Sequence, residues 1–261
     1  MSKTMGSKMD GLFFGHLVYI KNEVTKEFGT GTLICNESSW YILTASHVIK
    51  KADSSSLYLN LGIQYGSRLE KTSILIDEPV LDYALIQVDV SEANIKLGEK
   101  NSPFRFNSQI KIGKLPKFNR MAITGYPNYL VEDRNVEFPG RAYFSIWEKM
   151  PTDPEHWPDR LKADVNQDLF MLIDFHPEKT SHFFDKNGVQ VAVFELDGMS
   201  GCPVWILDKD TTNDIAPKYG LYGVFTSVYP SHKMWKFTRM DAILAKSKER
   251  YGVDILDSGK K

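Results

Sequence analysis

The sequence predicts an all-β fold, and three observations carry that reading. Short apolar runs of about four to eight residues recur along the chain and are rich in β-branched and aromatic residues. Gly, Asn, Ser, Asp and Pro bound these runs. Near the C-terminus a single longer segment, 237–252, is rich in good helix formers and ends in Gly.

Taken in order, the predicted strands of the first half are 17–20, 31–35, 40–44, 73–76 and 83–88. Residues 36–39, Asn-Glu-Ser-Ser, read as a hairpin loop between two of them. Residues 99–118 carry Gly, Asn, Ser, Pro and several lysines and predict a crossover between halves. A strand with a Gly125-Tyr126-Pro127 turn follows at 120–127. Residues 128–165 read as irregular, with Pro139, Pro151, Pro154 and Pro158 among many charges. Extended loops near a cleft or a surface elaboration without a role are equal readings there. Strands resume at 169–175, 188–194, 204–207 and 219–228.

Composition narrows the class. A chain of 261 residues can bury a sizeable core, and length leaves one or two domains open. Aromatic content of 12% and charged content of 25% suit a folded soluble protein. A net charge of −1 supplies no basic field for nucleic acid or an anionic membrane surface. No segment approaches the eighteen or so consecutive apolar residues of a membrane-spanning helix. The first ten residues lack the apolar run of a secretory signal. Together with only two cysteines, Cys35 and Cys202, this predicts a reducing compartment and a cytoplasmic location. Both cysteines read as small buried hydrophobes, with a bridge between them left open. His176 and His182 lie among Asp174, Glu178 and Asp185, but their spacing matches no zinc motif. No metal and no cofactor is expected.

Three segments stand apart: Thr44-Ala45-Ser46-His47, Leu81-Asp82-Tyr83-Ala84-Leu85-Ile86 and Gly198-Met199-Ser200-Gly201-Cys202-Pro203. A serine hydroxyl is a poor nucleophile at neutral pH and needs a base within hydrogen-bond reach. The base needs a carboxylate to fix its tautomer, and the developing oxyanion needs backbone N–H donors in place. His47, Asp82 and Ser200 are the residue types for those three roles. Their order and surroundings resemble the chymotrypsin/trypsin-like serine peptidases, in which the His lies in a Thr-Ala-x-His turn and the Ser in Gly-x-Ser-Gly-x-Pro.

The resemblance implies two six-stranded antiparallel β-barrels, a C-terminal α-helix and long loops in the second barrel. It divides one peptidase domain into a first barrel at 11–110, a second at 118–235 and a helix at 236–252. It implies hydrolysis of peptide bonds through an acyl-enzyme, with oxyanion donors at the N–H groups of Gly198 and Ser200. It puts the base of the primary specificity pocket near Phe194, with Glu195 or Asp197 as alternatives selecting a basic residue. The pocket-lining strand falls at Thr226-Ser227-Val228, where Thr226 and Val228 would pair with an extended substrate.

Two positions depart from the digestive-enzyme pattern. Met199 replaces the Asp that pairs with a new amino terminus after zymogen cleavage, so activity is expected without that cleavage. Cys202 stands where Gly is common. The expected partners are a protein or peptide substrate and a regulatory protein, with residues 128–190 the candidate for control. The alternatives are a catalytically silent binding module of the same fold and an esterase using the same triad.

Overall fold

The computed structural model describes residues 17–36, 39–61, 68–97, 104–105, 120–127, 143–147, 152–174, 183–184, 197–207 and 219–256. The first half contributes strands β1 (Leu17–Asn22), β2 (Phe28–Cys35), β3 (Trp40–Thr44), β4 (Leu57–Leu61), β5 (Arg68–Leu69), β6 (Thr72–Glu78), β7 (Tyr83–Val88) and β8 (Phe104–Arg105). A helix, α1 (Val90–Leu97), follows β7. The second half contributes β9 (Arg120–Gly125), β10 (Tyr143–Trp147), β11 (Phe170–Asp174), β12 (Phe183–Phe184), β13 (Pro203–Leu207), β14 (Tyr219–Tyr229) and β15 (Met234–Arg239). Its helices are α2 (Asp159–Asp164) and α3 (Met240–Tyr251).

Each half is one sheet. The first runs β5-β4-β1-β2-β3-β7-β6, with β8 pairing parallel to β2; the second runs β11-β15-β14-β13-β9-β10-β12. All the other pairs are antiparallel. The sheets therefore hold eight and seven strands rather than six each. The two-residue strands β5, β8 and β12 supply the excess, and β5 and β6 stay unpaired with each other among the described residues.

Side-chain alternation explains why the first-half strands are apolar at nearly every position. Val18, Ile20, Leu33, Ile42, Ala84 and Ile86 pack in a core belonging to the first sheet alone. Their alternate neighbours Leu17, Tyr19, Ile34, Leu43, Tyr83 and Leu85 point to the opposite face. There they meet Ala122, Trp205, Leu221, Val224, Met240 and Ile243 of the second half. The second sheet has its own core of Met121, Ile123, Val204, Ile206, Phe225, Trp235 and Phe237. A strand buried on both faces has no polar stripe, so the period-two pattern is hidden in sequence.

Several expectations change. The C-terminal helix starts at Met240, not 236, because Trp235 and Phe237 alternate with Lys236 and Thr238 as a strand paired with β11 and β14. It ends where Gly252 adopts φ 67° and donates to the Lys248 carbonyl. Part of the stretch read as irregular is regular: 143–147 is a strand, and 159–164 is a helix. Pro154 opens a 3₁₀ turn and Pro158 caps α2, positions where a missing N–H costs nothing. Trp157, Leu161 and Val165 fasten this segment by packing on Leu172 and Met234. The predicted strand at 188–194, and His176 and His182, lie outside the described residues.

Candidate active site

The His turn follows β3 directly. Ser46–Ile49 forms a 3₁₀ turn whose Ser46, Val48 and Ile49 are buried, leaving His47, between Ser46 and Val48, partly exposed. The Asn22 amide donates to the carbonyls of Val48 and Lys50, each at 3.0 Å, and fixes the far side of the turn.

Asp82 sits where β6 gives way to β7, with φ 53°. The left-handed region is uncommon for a residue with a Cβ, and Asp is among those that tolerate it best. One carboxylate serves both parts of His47: the backbone N–H donates to Oδ1 at 3.0 Å, and ring Nδ1 lies 2.9 Å from Oδ2. With Nδ1–H donating to the carboxylate, Nε2 is left as the ring's proton acceptor. The His47 side chain is 41% exposed and that of Asp82 18%. The carboxylate is thus the more sheltered member and the imidazole edge faces outward.

The Ser turn at 198–202 belongs to the second half but is fixed by the first. Thr30 does most of this. Its N–H donates to the Ser200 carbonyl at 2.8 Å and its hydroxyl to the Gly198 carbonyl at 2.9 Å. That hydroxyl also accepts from the Tyr126 N–H at 2.8 Å. The Thr30 carbonyl accepts from the Thr44 hydroxyl at 2.7 Å, three residues before His47. Gly201 has φ 86°, and a Cβ there would meet the Thr30 carbonyl at 2.1 Å and the Thr44 hydroxyl at 2.2 Å. A Cβ at Gly29 would strike the Val48 side chain at 2.5 Å and approach the Ser200 carbonyl at 3.0 Å. The His and Ser turns are therefore packed on one another. Among the described residues no hydrogen bond joins the Ser200 hydroxyl to His47, and the N–H groups of Gly198 and Ser200 have no described acceptor.

Met199 is buried at 2% exposure in the second-half core, against Gly125. This position is held by apolar packing rather than by an ion pair. Cys202 is fully buried and Cys35 nearly so, and no disulfide joins them. Burial pushes the Cys202 thiol well above the usual range, which makes it a poor nucleophile.

Beside the Ser turn runs β14. Gly201 N–H donates to the Phe225 carbonyl at 2.8 Å, and Phe225 N–H to the Cys202 carbonyl at 2.9 Å. Pairing with β13 ends at Val224, whereas pairing with β15 continues to Tyr229. Residues 226–229 thus keep an open edge among the described residues. A bulge falls between Phe225 and Ser227, and Thr226 is buried with its hydroxyl donating to the Lys236 carbonyl at 3.2 Å. The Thr226 side chain faces inward, so only its backbone is offered to the edge. Ser227 and Val228 are half-buried. Phe194 and Glu195 lie outside the described residues, and Asp197 is exposed.

Sequence reasoning missed Thr30 and Asn22. The Gly29-Thr30-Gly31-Thr32 run was the available signal: glycines inside a strand mark close backbone approach.

No family model matches the chain, and no curated protein does. Solved structures match in fold. An inactivated protease paralogue of the scabies mite aligns at 14% identity and TM-score 0.57, covering 92% of this chain and 94% of that one. A serine endoprotease from Yersinia pestis aligns at 16% identity and TM-score 0.54, covering 96% and 68%. A Glu endopeptidase aligns at 14% identity and TM-score 0.51, covering 89% and 88%. The chain has the fold of the trypsin-like serine proteases.

Proposed function

We propose that the chain is a serine endopeptidase, one peptidase domain that cleaves peptide bonds with His47, Asp82 and Ser200 as its triad. The observation that carries this reading is the doubly bonded His47–Asp82 pair, with the Ser200 turn packed against the segment that leads into His47. His47 Nε2 takes the Ser200 proton as Oγ attacks the scissile carbonyl, and the carboxylate of Asp82 stabilises the imidazolium. The N–H groups of Gly198 and Ser200 receive the oxyanion. Imidazolium then protonates the leaving amine, and a water repeats the sequence to release the acyl group. The Ser200–His47 hydrogen bond forms on substrate binding, since catalytic hydrogen bonds are often long or misaligned in a free site.

The open edge at 226–229 supports a peptide rather than a simple ester substrate, because an extended chain docks there by backbone pairing. Met199 packed in the core supports activity without amino-terminal cleavage. A cytoplasmic location and control by a protein partner belong to this proposal on the sequence grounds given above.

The test is a diverse peptide library read by mass spectrometry, with wild type and Ser200→Ala. Cleavage by wild type alone establishes the activity and its residue preference. A silent binding module is the second reading, favoured by the scabies mite neighbour being an inactivated protease paralogue. Absence of cleavage together with absence of fluorophosphonate labelling at Ser200 would establish it.

A further inference from the structure

Asp82 holds its left-handed backbone in a turn whose neighbours on both sides are tied to one end of the molecule. Glu78 is fully buried, yet it is a carboxylate. Its Oε2 accepts from Arg250 Nη1 at 2.7 Å and from the Tyr251 hydroxyl at 3.1 Å, both on the last turn of α3. Its Oε1 accepts from the Val80 N–H at 3.2 Å, inside the turn that ends at Asp82. The Asp77 carbonyl lies 3.2 Å from the same Tyr251 hydroxyl and shares its single proton with Glu78. The Asp77 carboxylate in turn accepts from the Ser46 hydroxyl, next to His47. On the far side of Asp82, the Tyr83 hydroxyl meets Ser247 Oγ of α3 at 3.0 Å, and burial pushes that phenol up to about 12. The Thr238 hydroxyl donates to the Leu81 carbonyl.

We infer that Glu78 is a positioning residue for the His47–Asp82 pair, and that Arg250 and Tyr251 act through it to set the pair's geometry. A buried carboxylate is costly unless paired and fully hydrogen-bonded. Here the compensating partners come from a helix 172 residues further along the chain, and the third bond goes into the turn itself. The arrangement ties the turn's conformation to the seating of α3. Ser46–Asp77 extends the same tie to the turn that carries His47. The half-exposed Arg250 guanidinium reaches Glu78 from the surface, so the link can be loosened without emptying the core.

The inference rests on the proposed catalytic pair, and its test has a readout that needs no turnover. The variant is Arg250→Met with Tyr251→Phe, both at the helix surface. Glu78→Gln is the second variant, because it keeps the shape and removes the charge should the first fold poorly. The far-downfield proton resonance of His47 Nδ1–H reports the bond to Asp82 directly. The expected result is loss or broadening of that resonance in both variants. On the best substrate found in the peptide library, kcat falls by about tenfold to a hundredfold with KM little changed, and Arg250→Lys keeps most of the rate. An unchanged resonance with unchanged kcat, alongside a lowered melting temperature, overturns the inference and leaves the clamp purely structural. If wild type itself turns nothing over, the resonance still decides the positioning role, while Ser200 labelling decides the peptidase reading separately.

Discussion

At the residue scale, the proposed site divides into groups expected to act and groups that hold. Replacing Asp82 by Asn leaves the volume intact but lets the amide donate toward Nδ1, which imposes the wrong tautomer on His47. A loss of about 10⁴-fold in kcat is expected, measured on the library's best substrate. Ser200→Ala removes the proposed nucleophile and is expected to cost about 10⁶-fold. Gly201→Ala tests a different property. Its φ of 86° and the crowding by the Thr30 carbonyl leave no room for a Cβ, so stability should fall by about 3 kcal/mol or more in urea unfolding. The residues proposed to act could be picked out in the sequence because each carries local neighbours, such as Thr44-Ala45 before His47 and Gly198 and Gly201 around Ser200. Glu78 carries no such neighbours, and Thr30 only flanking glycines that mark a close approach. Their partners lie 168 and 172 residues away, and no local pattern names a partner at that distance.

At the element scale, β2 and β14 serve the site through their backbones more than their side chains. Thr30→Val keeps the shape of β2 and removes one hydroxyl that both donates to the Gly198 carbonyl and accepts from Tyr126. The buried acceptor and donor then lose their partner, and about 1–3 kcal/mol of stability should go with them. Chemical denaturation of the variant measures this. Regular elements were readable where one run made one strand, as at β3 and β7. β4 escaped because Asn60 interrupts its apolar run, although that residue is fully buried. α3 was placed too early because the helix-forming run that follows Met240 was extended back over Lys236–Arg239, where Phe237 and Thr238 favour a strand and burial on the second sheet imposes extended geometry. Prolines at 154 and 158 looked like breakers and proved to be starting positions.

At the scale of the whole molecule, the largest apolar cluster joins the halves rather than filling either one. Leu43→Ala in that cluster should cost about 2–5 kcal/mol, and catalysis and tertiary structure should be lost in one transition as denaturant rises. Two separate transitions would mean that each half folds alone. The general architecture was legible because hydrophobic runs and turn residues recur throughout. Strand number was not, since strands of two residues leave no periodic signal.

The clamp on Glu78 also has a consequence for biosynthesis. His47 and Asp82 leave the ribosome before Arg250 and Tyr251, which follow after a delay of about ten to thirty seconds at ordinary translation speeds. A nascent chain would carry the pair without its fastening and so stay unprimed while other unfolded polypeptides surround it. Ribosome-stalled chains ending before residue 240 should therefore not react with a fluorophosphonate, whereas chains extended well beyond residue 251 should. Equal labelling of both would show that the early segments mature on their own.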